Sequence, residues 1–330
     1  REYGLPLFIA LMLIKVDVAG AVRIMGKGVF VMLIGSVGVV VGGAAAYSLG
    51  VWGGVLDPSI WPAFGTLSGS WIGGTGNMNA AWAALEGKPE HMTMAAVADN
   101  LVYIIWLPLL LGSRAFAERF NRWAGVSHDR IERMEEAALA VTEADHAPSM
   151  TQILYLALIA LTTTAVSVWL AARLPEIALG GQPVITESTW VILLVTSISL
   201  LLSITRARAL PGAQPIAMAI IYVFVASVGA RANVANADLG QMGWFVLAAY
   251  VWIFIHGAFI LAGAKLFRVD VHTLAIASAA NIGGAASAPV VAAHHRESLV
   301  PASILMALIG YAVGNYLAIL TGRLAQLIGA

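Results

Sequence analysis

The stretch "SWIGGTGNMNAAW", Ser70 to Trp82, decides how this chain folds. It places Gly73, Gly74 and Gly76 with two asparagines and a threonine inside an otherwise apolar region. Glycine and asparagine are poor helix formers, so an α-helix is expected to break at the Gly73-Gly74 pair. Each half of the surrounding segment, 60 to 86, is about 12 to 15 residues. At 1.5 Å rise per residue neither half can cross a bilayer. The segment is therefore one discontinuous crossing or a hairpin that returns to its own side.

The rest of the chain says which solvent it meets. It is 60% hydrophobic and 11% charged, with a mean hydropathy of +0.85, and several apolar runs reach the ~20 residues a spanning helix needs. These features predict an all-α polytopic membrane protein with the lipid bilayer as its solvent. Helices are expected at 5 to 20, 28 to 50, 92 to 112, 150 to 173, 188 to 205, 215 to 230, 240 to 264 and 298 to 324. The absence of cysteine excludes disulfides, iron-sulfur clusters and thiolate catalysis. Formal charge is balanced, which gives no reason to expect a nucleic-acid partner. Residue 1 is arginine, and the pattern of charged n-region, short apolar core and cleavage site does not follow it, so no signal peptide is expected within these residues.

A second stretch, "AANIGGAASAPVV" (Ala279 to Val291), answers the first at an offset of 210, aligning Ile72-Gly73-Gly74 with Ile282-Gly283-Gly284. Around each lies the same order: a proline-bearing helix (Pro6; Pro215), a long glycine- and alanine-rich helix, the broken segment, and another long helix. Loop charges choose between crossing and hairpin, because Lys and Arg concentrate on the cytoplasmic side. If both segments are hairpins, Arg23, Lys27, Arg114, Arg119, Arg122, Arg130, Arg133, Arg206, Arg208, Lys265, Arg268 and Arg296 share one face. Only Lys88, Arg173, Arg231 and Arg323 oppose them. If both cross, that bias mostly disappears. The expected architecture is thus two inverted-topology repeats, each with a broken-helix re-entrant hairpin, as in elevator-type transporters. The first repeat covers 1 to 112 and the second 150 to 330. The second holds two helices that the first lacks, so about two are expected upstream of Arg1.

Between the repeats, 113 to 149 reads as a cytoplasmic amphipathic linker. Phe116, Phe120 and Trp123 share a helical face with Arg114, Arg119 and Arg122 opposite. The mixed-charge remainder is expected to be a solvated helix.

Polar groups at midplane depth cost several kcal/mol when unpaired and so point to function. In the first hairpin these are Ser70, Thr75, Asn77 and Asn79; in the second, Asn281 and Ser287, with Pro289 expected at the start of the returning half-helix. Gly73, Gly74, Gly283 and Gly284 let the backbone approach a solute and free carbonyls to ligate Na⁺. The structural alternative for the glycines is tight helix packing. Asp99 and Asn100 lie inside the next helix, and Asn315 with Tyr311 in its counterpart. Asp99, Asn100, Asn315 and Asn77 are the expected ion ligands, with Na⁺ as coupling ion and H⁺ carried by Asp99 as the alternative. Lys15 and Asp17, near Arg23, are explained by snorkelling and a local ion pair. His256 reads as a packing residue, and His294 and His295 as interfacial. No H-E-x-x-H, G-x-x-x-x-G-K-[ST] or useful G-x-S-x-G occurs.

The stretches "LPLFIALMLIKVD", "GSWIGGTGNMNAAW", "VADNLVYIIW" and "ASAANIGGAASAPVVAA" resemble a widespread family of prokaryotic membrane proteins, with plastid relatives, known by the domain-of-unknown-function label 819. The resemblance spans essentially the whole chain. It implies a location in a prokaryotic inner or plasma membrane and further hydrophobic sequence ahead of Leu5, and it supplies no substrate. More distantly, five helices and a hairpin per repeat are similar to the sodium-coupled citrate and glutamate symporter folds. The expected function is an ion-coupled secondary transporter of a small anionic or zwitterionic solute, working as a homodimer and without enzymatic activity. The rivals are a membrane-embedded enzyme using Asp99 with His256 or Asn77 as acid-base groups, and a channel.

Overall fold

The computed structural model describes residues 3–126, 147–179, 181–229 and 238–330. The expected solvated helix after the amphipathic segment, with Arg130 and Arg133, and Arg231 lie outside the described residues.

Fourteen helices organise the described residues. They are α1 (Gly4–Leu13), α2 (Val18–Met25), α3 (Lys27–Trp52), α4 (Trp61–Gly73), α5 (Thr75–Ala84), α6 (Pro89–Gly112), α7 (Ala117–Ala124), α8 (Met150–Ala171), α9 (Glu187–Ser203), α10 (Ala213–Gly229), α11 (Leu239–Phe267), α12 (Val271–Ile282), α13 (Gly284–His295) and α14 (Val300–Gly329). Among these, α3, α6, α8, α11 and α14 are long and apolar enough to cross a membrane, and the bent pair α1–α2 adds a sixth candidate. The chain is a multi-pass integral membrane protein.

Two expectations are corrected. The first helix does not run from 5 to 20: it stops at Leu13 and bends by 51° into α2. The break is made by Asp17, whose carboxylate caps α2 by accepting from Gly20 N–H at 2.9 Å. Its ion-pair partner is Arg208, at 2.9 Å, rather than the expected neighbour Arg23. The all-α class holds, with one small addition: strands β1 (Ile177–Leu179) and β2 (Gln182–Ile185) form an antiparallel hairpin between α8 and α9.

The helix breaks fall where the glycines predict them. Gly74, at φ 88°, separates α4 from α5 in a backbone region that side chains disfavour. Gly283 and Gly284, the latter at φ 56°, separate α12 from α13. In both cases the arms fold back antiparallel. Gly69 of α4 lies so close to α5 that a Cβ would fall 2.5 Å from the Asn77 carbonyl oxygen. At the open end of the second hairpin, His272 and His295 meet Nδ1 to Nδ1 at 3.0 Å.

The order long helix, broken pair, long helix recurs as predicted. Helices α1, α3, α4, α5 and α6 begin at residues 4, 27, 61, 75 and 89, and α10 to α14 at 213, 239, 271, 284 and 300, each 209 to 212 later. Pro6 and Pro215 both fall in the first turn of their helix, where the missing N–H costs nothing. Helix α3 packs against α11 through Gly38 and Gly42, whose Cβ atoms would meet Phe259 and Trp252 at 2.6 and 2.5 Å. Small residues at this spacing allow the close backbone approach that supplies packing energy in lipid.

Two buried clusters result. One joins α2, α3, α4, α6, α11, α12, α13 and α14 around Phe64, Trp71 and Trp252. The other joins α1, α8, α9 and α10 to one face of α5 and α14. Helices α5 and α14 contribute residues to both clusters, and hydroxyls of α9 bind both of these helices. Thr189 donates to the Ala84 carbonyl at 2.6 Å, Thr196 accepts from Asn315 Nδ2 at 2.8 Å, and Ser197 meets the Tyr316 hydroxyl at 2.7 Å.

Candidate functional site

The two hairpin tips touch. A Cβ on Gly284 would fall 3.2 Å from the Gly73 carbonyl oxygen, and one on Gly74 would fall 3.7 Å from Gly284 Cα. Only glycine permits backbones to cross this closely. The Tyr311 hydroxyl stands over the junction, 3.4 Å from the Cβ position of Gly284 and 3.7 Å from that of Gly74.

Each tip carries its own brace. At Gly73 a Cβ would overlap Asn77 Oδ1, and at Gly283 it would overlap Ser287 Oγ. Asn77 and Ser287 are each the fourth residue after their glycine, so each side chain folds into the space the missing Cβ leaves. Asn77 then donates to Asn315 Oδ1 at 2.7 Å and to the Tyr311 carbonyl at 3.0 Å, both on α14. The Tyr103 hydroxyl of α6 lies 3.3 Å from the same Cβ position of Gly283, beside Ser287, and α6 also reaches the second hairpin through Trp106, which donates to Ser278. Thus α14, the helix after the second hairpin, holds the first, and α6, the helix after the first, holds the second.

Asp99 lies midway along α6 and is half-buried. Its carboxylate accepts from Ser70 Oγ at 2.8 Å and from Trp71 Nε1 at 2.9 Å, both in the last turn of α4. These two donors satisfy part of a carboxylate's acceptor capacity, and further lone pairs can bind a cation or a proton. Tyr103 and Trp106 follow Asp99 at i+4 and i+7 on the same face of α6. Trp106 Nε1 donates to Ser278 of α12 at 3.0 Å. One face of α6 therefore grips both hairpins.

The remaining expected site residues are dispersed. Thr75 is exposed at the first residue of α5. Asn79 is buried and donates to the Thr75 carbonyl of its own helix at 2.8 Å. Asn100 is exposed and donates to the Ala96 carbonyl at 2.7 Å, away from the Asn77–Asn315 pair. Asn281 is fully buried and donates to the Met32 carbonyl at 2.9 Å while accepting from Ser36 at 3.1 Å, which fastens α12 to α3. Pro289 does not begin the returning half-helix: it is the sixth residue of α13. A proline there has no N–H to offer the carbonyl four residues earlier, Ala285, next to the tip. A freed carbonyl beside the junction suits a cation.

His256 is buried, with Nδ1 2.9 Å from the Gly35 carbonyl and Nε2 3.0 Å from Ser278 Oγ. The carbonyl can only accept, so Nδ1 carries the proton and Ser278 donates to Nε2. Asp99 and His256 belong to separate hydrogen-bond networks, as packing of His256 predicts. Among the described residues no group of three His, Cys, Asp or Glu could hold a metal ion. The space between α1 and the tip, lined by Phe8, Met12, Asn77, Tyr311 and Asn315, measures about 10 Å³, enough for one water.

Sequence reasoning missed Tyr103, Trp71 and Thr196. The i, i+4, i+7 spacing of Asp99, Tyr103 and Trp106 was the available signal for the first; the other two depend on which helices become neighbours.

The chain matches the model of the family described as "Protein of unknown function (DUF819)" over residues 1–327, and it belongs to that family. It is similar to "Uncharacterized membrane protein YjcL" of Bacillus subtilis (strain 168), at 27% identity over 337 residues, covering 98% of this chain and 82% of the relative. No solved structure matches it.

Proposed function

We propose that this DUF819 member is an ion-coupled secondary active transporter with an elevator mechanism. The observation that carries this reading is the meeting of two glycine-broken hairpins, Gly73-Gly74 on Gly283-Gly284, each braced by the long helix that follows the other. Broken helices that converge within a membrane protein leave backbone donors and acceptors unpaired for a solute and an ion. The twofold recurrence of the helix order, taken with the loop charges, supports two repeats of inverted topology, with both hairpins re-entrant.

Helices α5 and α13 begin at the junction, so their N-terminal dipoles favour a small anionic or zwitterionic solute. Thr75, exposed there, adds a hydroxyl. Asp99 and the Ala285 carbonyl are the proposed ligands of Na⁺, with a proton on Asp99 as the alternative. The two buried clusters suit a hairpin-bearing body that moves against a scaffold of α1, α8, α9 and α10, through which a homodimer would form. Hydroxyls on α9 suit such movement because short Ser and Thr side chains can exchange partners without large repacking.

A thermal-shift screen of the purified protein against metabolites, with and without Na⁺, tests the reading, since a ligand stabilises the state that binds it. Na⁺ and one solute are expected to stabilise together more than either does alone. Movement is tested separately in this cysteine-free chain. Tyr316→Cys is expected to cross-link to Ser197→Cys and, in a second condition, to an α9 position at least two turns away. Cross-linking to Ser197→Cys alone under every condition would refute sliding.

A further inference from the structure

Helix α7 is short and carries aromatic side chains and guanidinium groups together. Phe116 is 64% exposed and Trp123 50% exposed. With Phe120 and Arg119 they line an open cleft of about 320 Å³. Arg119 is exposed and makes no hydrogen bond or ion pair with the described residues; Arg122, also exposed, stands 3.9 Å from Glu118. Lys265 of α11 lies over the Trp123 ring at 5.0 Å and donates to the Trp123 carbonyl.

The same segment is fastened to both arms of the second hairpin. Asn121 Oδ1 accepts from the N–H of Val271, the first residue of α12, at 3.0 Å. Arg114 donates to the carbonyl of His294, at the end of α13. Between those arms lies the His272–His295 contact, and His295 Nε2 in turn donates to the Leu110 carbonyl of α6 at 2.9 Å. A ligand that orders α7 therefore orders the base of the hairpin whose tip meets Gly73.

We infer that α7 is a binding site for an anionic phospholipid, with Arg119 and Arg122 on the headgroup phosphate and Phe116, Phe120 and Trp123 against the acyl chains, and that lipid binding there stiffens the second hairpin. The chemistry selects the occupant. Guanidinium forks match phosphate oxygens, exposed aromatic rings suit the level of the headgroups, and within α7 Arg119 and Arg122 outnumber Glu118, with Lys265 of α11 adding a third positive charge beside Trp123. A zwitterionic headgroup would bring an ammonium that the like charges of Arg119, Arg122 and Lys265 repel. The lipid site stands whether or not the hairpins carry a solute.

Hydrogen exchange of the protein in phosphatidylcholine vesicles, with and without phosphatidylglycerol, tests it. Phosphatidylglycerol is expected to slow exchange at residues 271–274 and 294–296 and to leave α8 unchanged. Arg119→Gln should reduce the preference for phosphatidylglycerol about five-fold, the share of one basic residue at an anionic surface. Phe116→Ser should weaken association with both lipids at α7. Equal protection in the two lipids, or an undiminished phosphatidylglycerol effect in Arg119→Gln, would overturn the assignment.

Discussion

Asn77, on α5, and Asn315, on α14, share a 2.7 Å hydrogen bond that ties the first hairpin's tip to the helix following the second. Asn315 passes the connection on to Thr196 of α9 at 2.8 Å, and so to the neighbouring cluster. The tip, its brace and α9 are one polar chain.

Asn77→Ala removes the donor to both Asn315 Oδ1 and the Tyr311 carbonyl. Leaving buried acceptors unsatisfied costs about 1–3 kcal/mol. Unfolding in detergent should show that loss, and a double-mutant cycle with Asn315→Ala should give a coupling of about 0.5 kcal/mol or more. Additive effects would mean that the two amides do not hold each other.

The glycines at the two tips should respond differently to a methyl group. In Gly283→Ala the new Cβ would overlap both Oγ and Cβ of Ser287, so Ser287→Gly should relieve much of the clash and Ser287→Ala little. In Gly73→Ala the new Cβ also falls 2.9 Å from the Gly310 carbonyl oxygen, which is backbone. Asn77→Ala should therefore not rescue Gly73→Ala. Melting temperatures of the two double variants decide this, and rescue of both would indicate that the helices yield.

Asp99→Ala leaves the Ser70 hydroxyl and Trp71 Nε1 without their acceptor and should cost about 1–3 kcal/mol for each group left unpaired. Asp99→Asn keeps the shape and one carbonyl oxygen, so it should fold while losing the charge. Na⁺-dependent stabilisation should disappear in Asp99→Asn. Its persistence there would remove Asp99 from the ion site.

Asp17 has two roles of unequal size. As the cap of α2 its loss in Asp17→Ala should cost about 1 kcal/mol. Arg208→Ala removes only the partly exposed ion pair and should cost less than about 1 kcal/mol. Chemical denaturation of the two variants ranks these contributions, and added salt should weaken only the second.

Much of the fold is legible along the chain because its causes are local. Apolar run length gives the spanning helices, and Gly73-Gly74 and Gly283-Gly284 break their segments because glycine accepts positive φ and weakens a helix wherever it stands. Even so, the bend after Leu13 escaped detection: "LIKVD" reads as apolar run and snorkelling lysine, and Asp17 becomes a cap only once the backbone has turned.

The site is legible in part. Residue types nominated Asp99, Asn77, Asn315 and the four tip glycines, and the structure brings Asn77 to Asn315 and one glycine pair to the other. It keeps Asn100 on its own helix and uses Asn281 to anchor α12 to α3. No spacing rule could separate these fates, because side chains of one type differ only in what the tertiary fold sets opposite them. The sequence by itself determined that this protein lives in a membrane, where its helices break, and that breaks recur at an offset of 210, since hydropathy and backbone freedom act within a few residues. Only the tertiary structure decided that the breaks meet, that each is braced by the helix following the other, and that Ser70 and Trp71 face Asp99. Those are contacts across tens to hundreds of residues, and packing alone selects them.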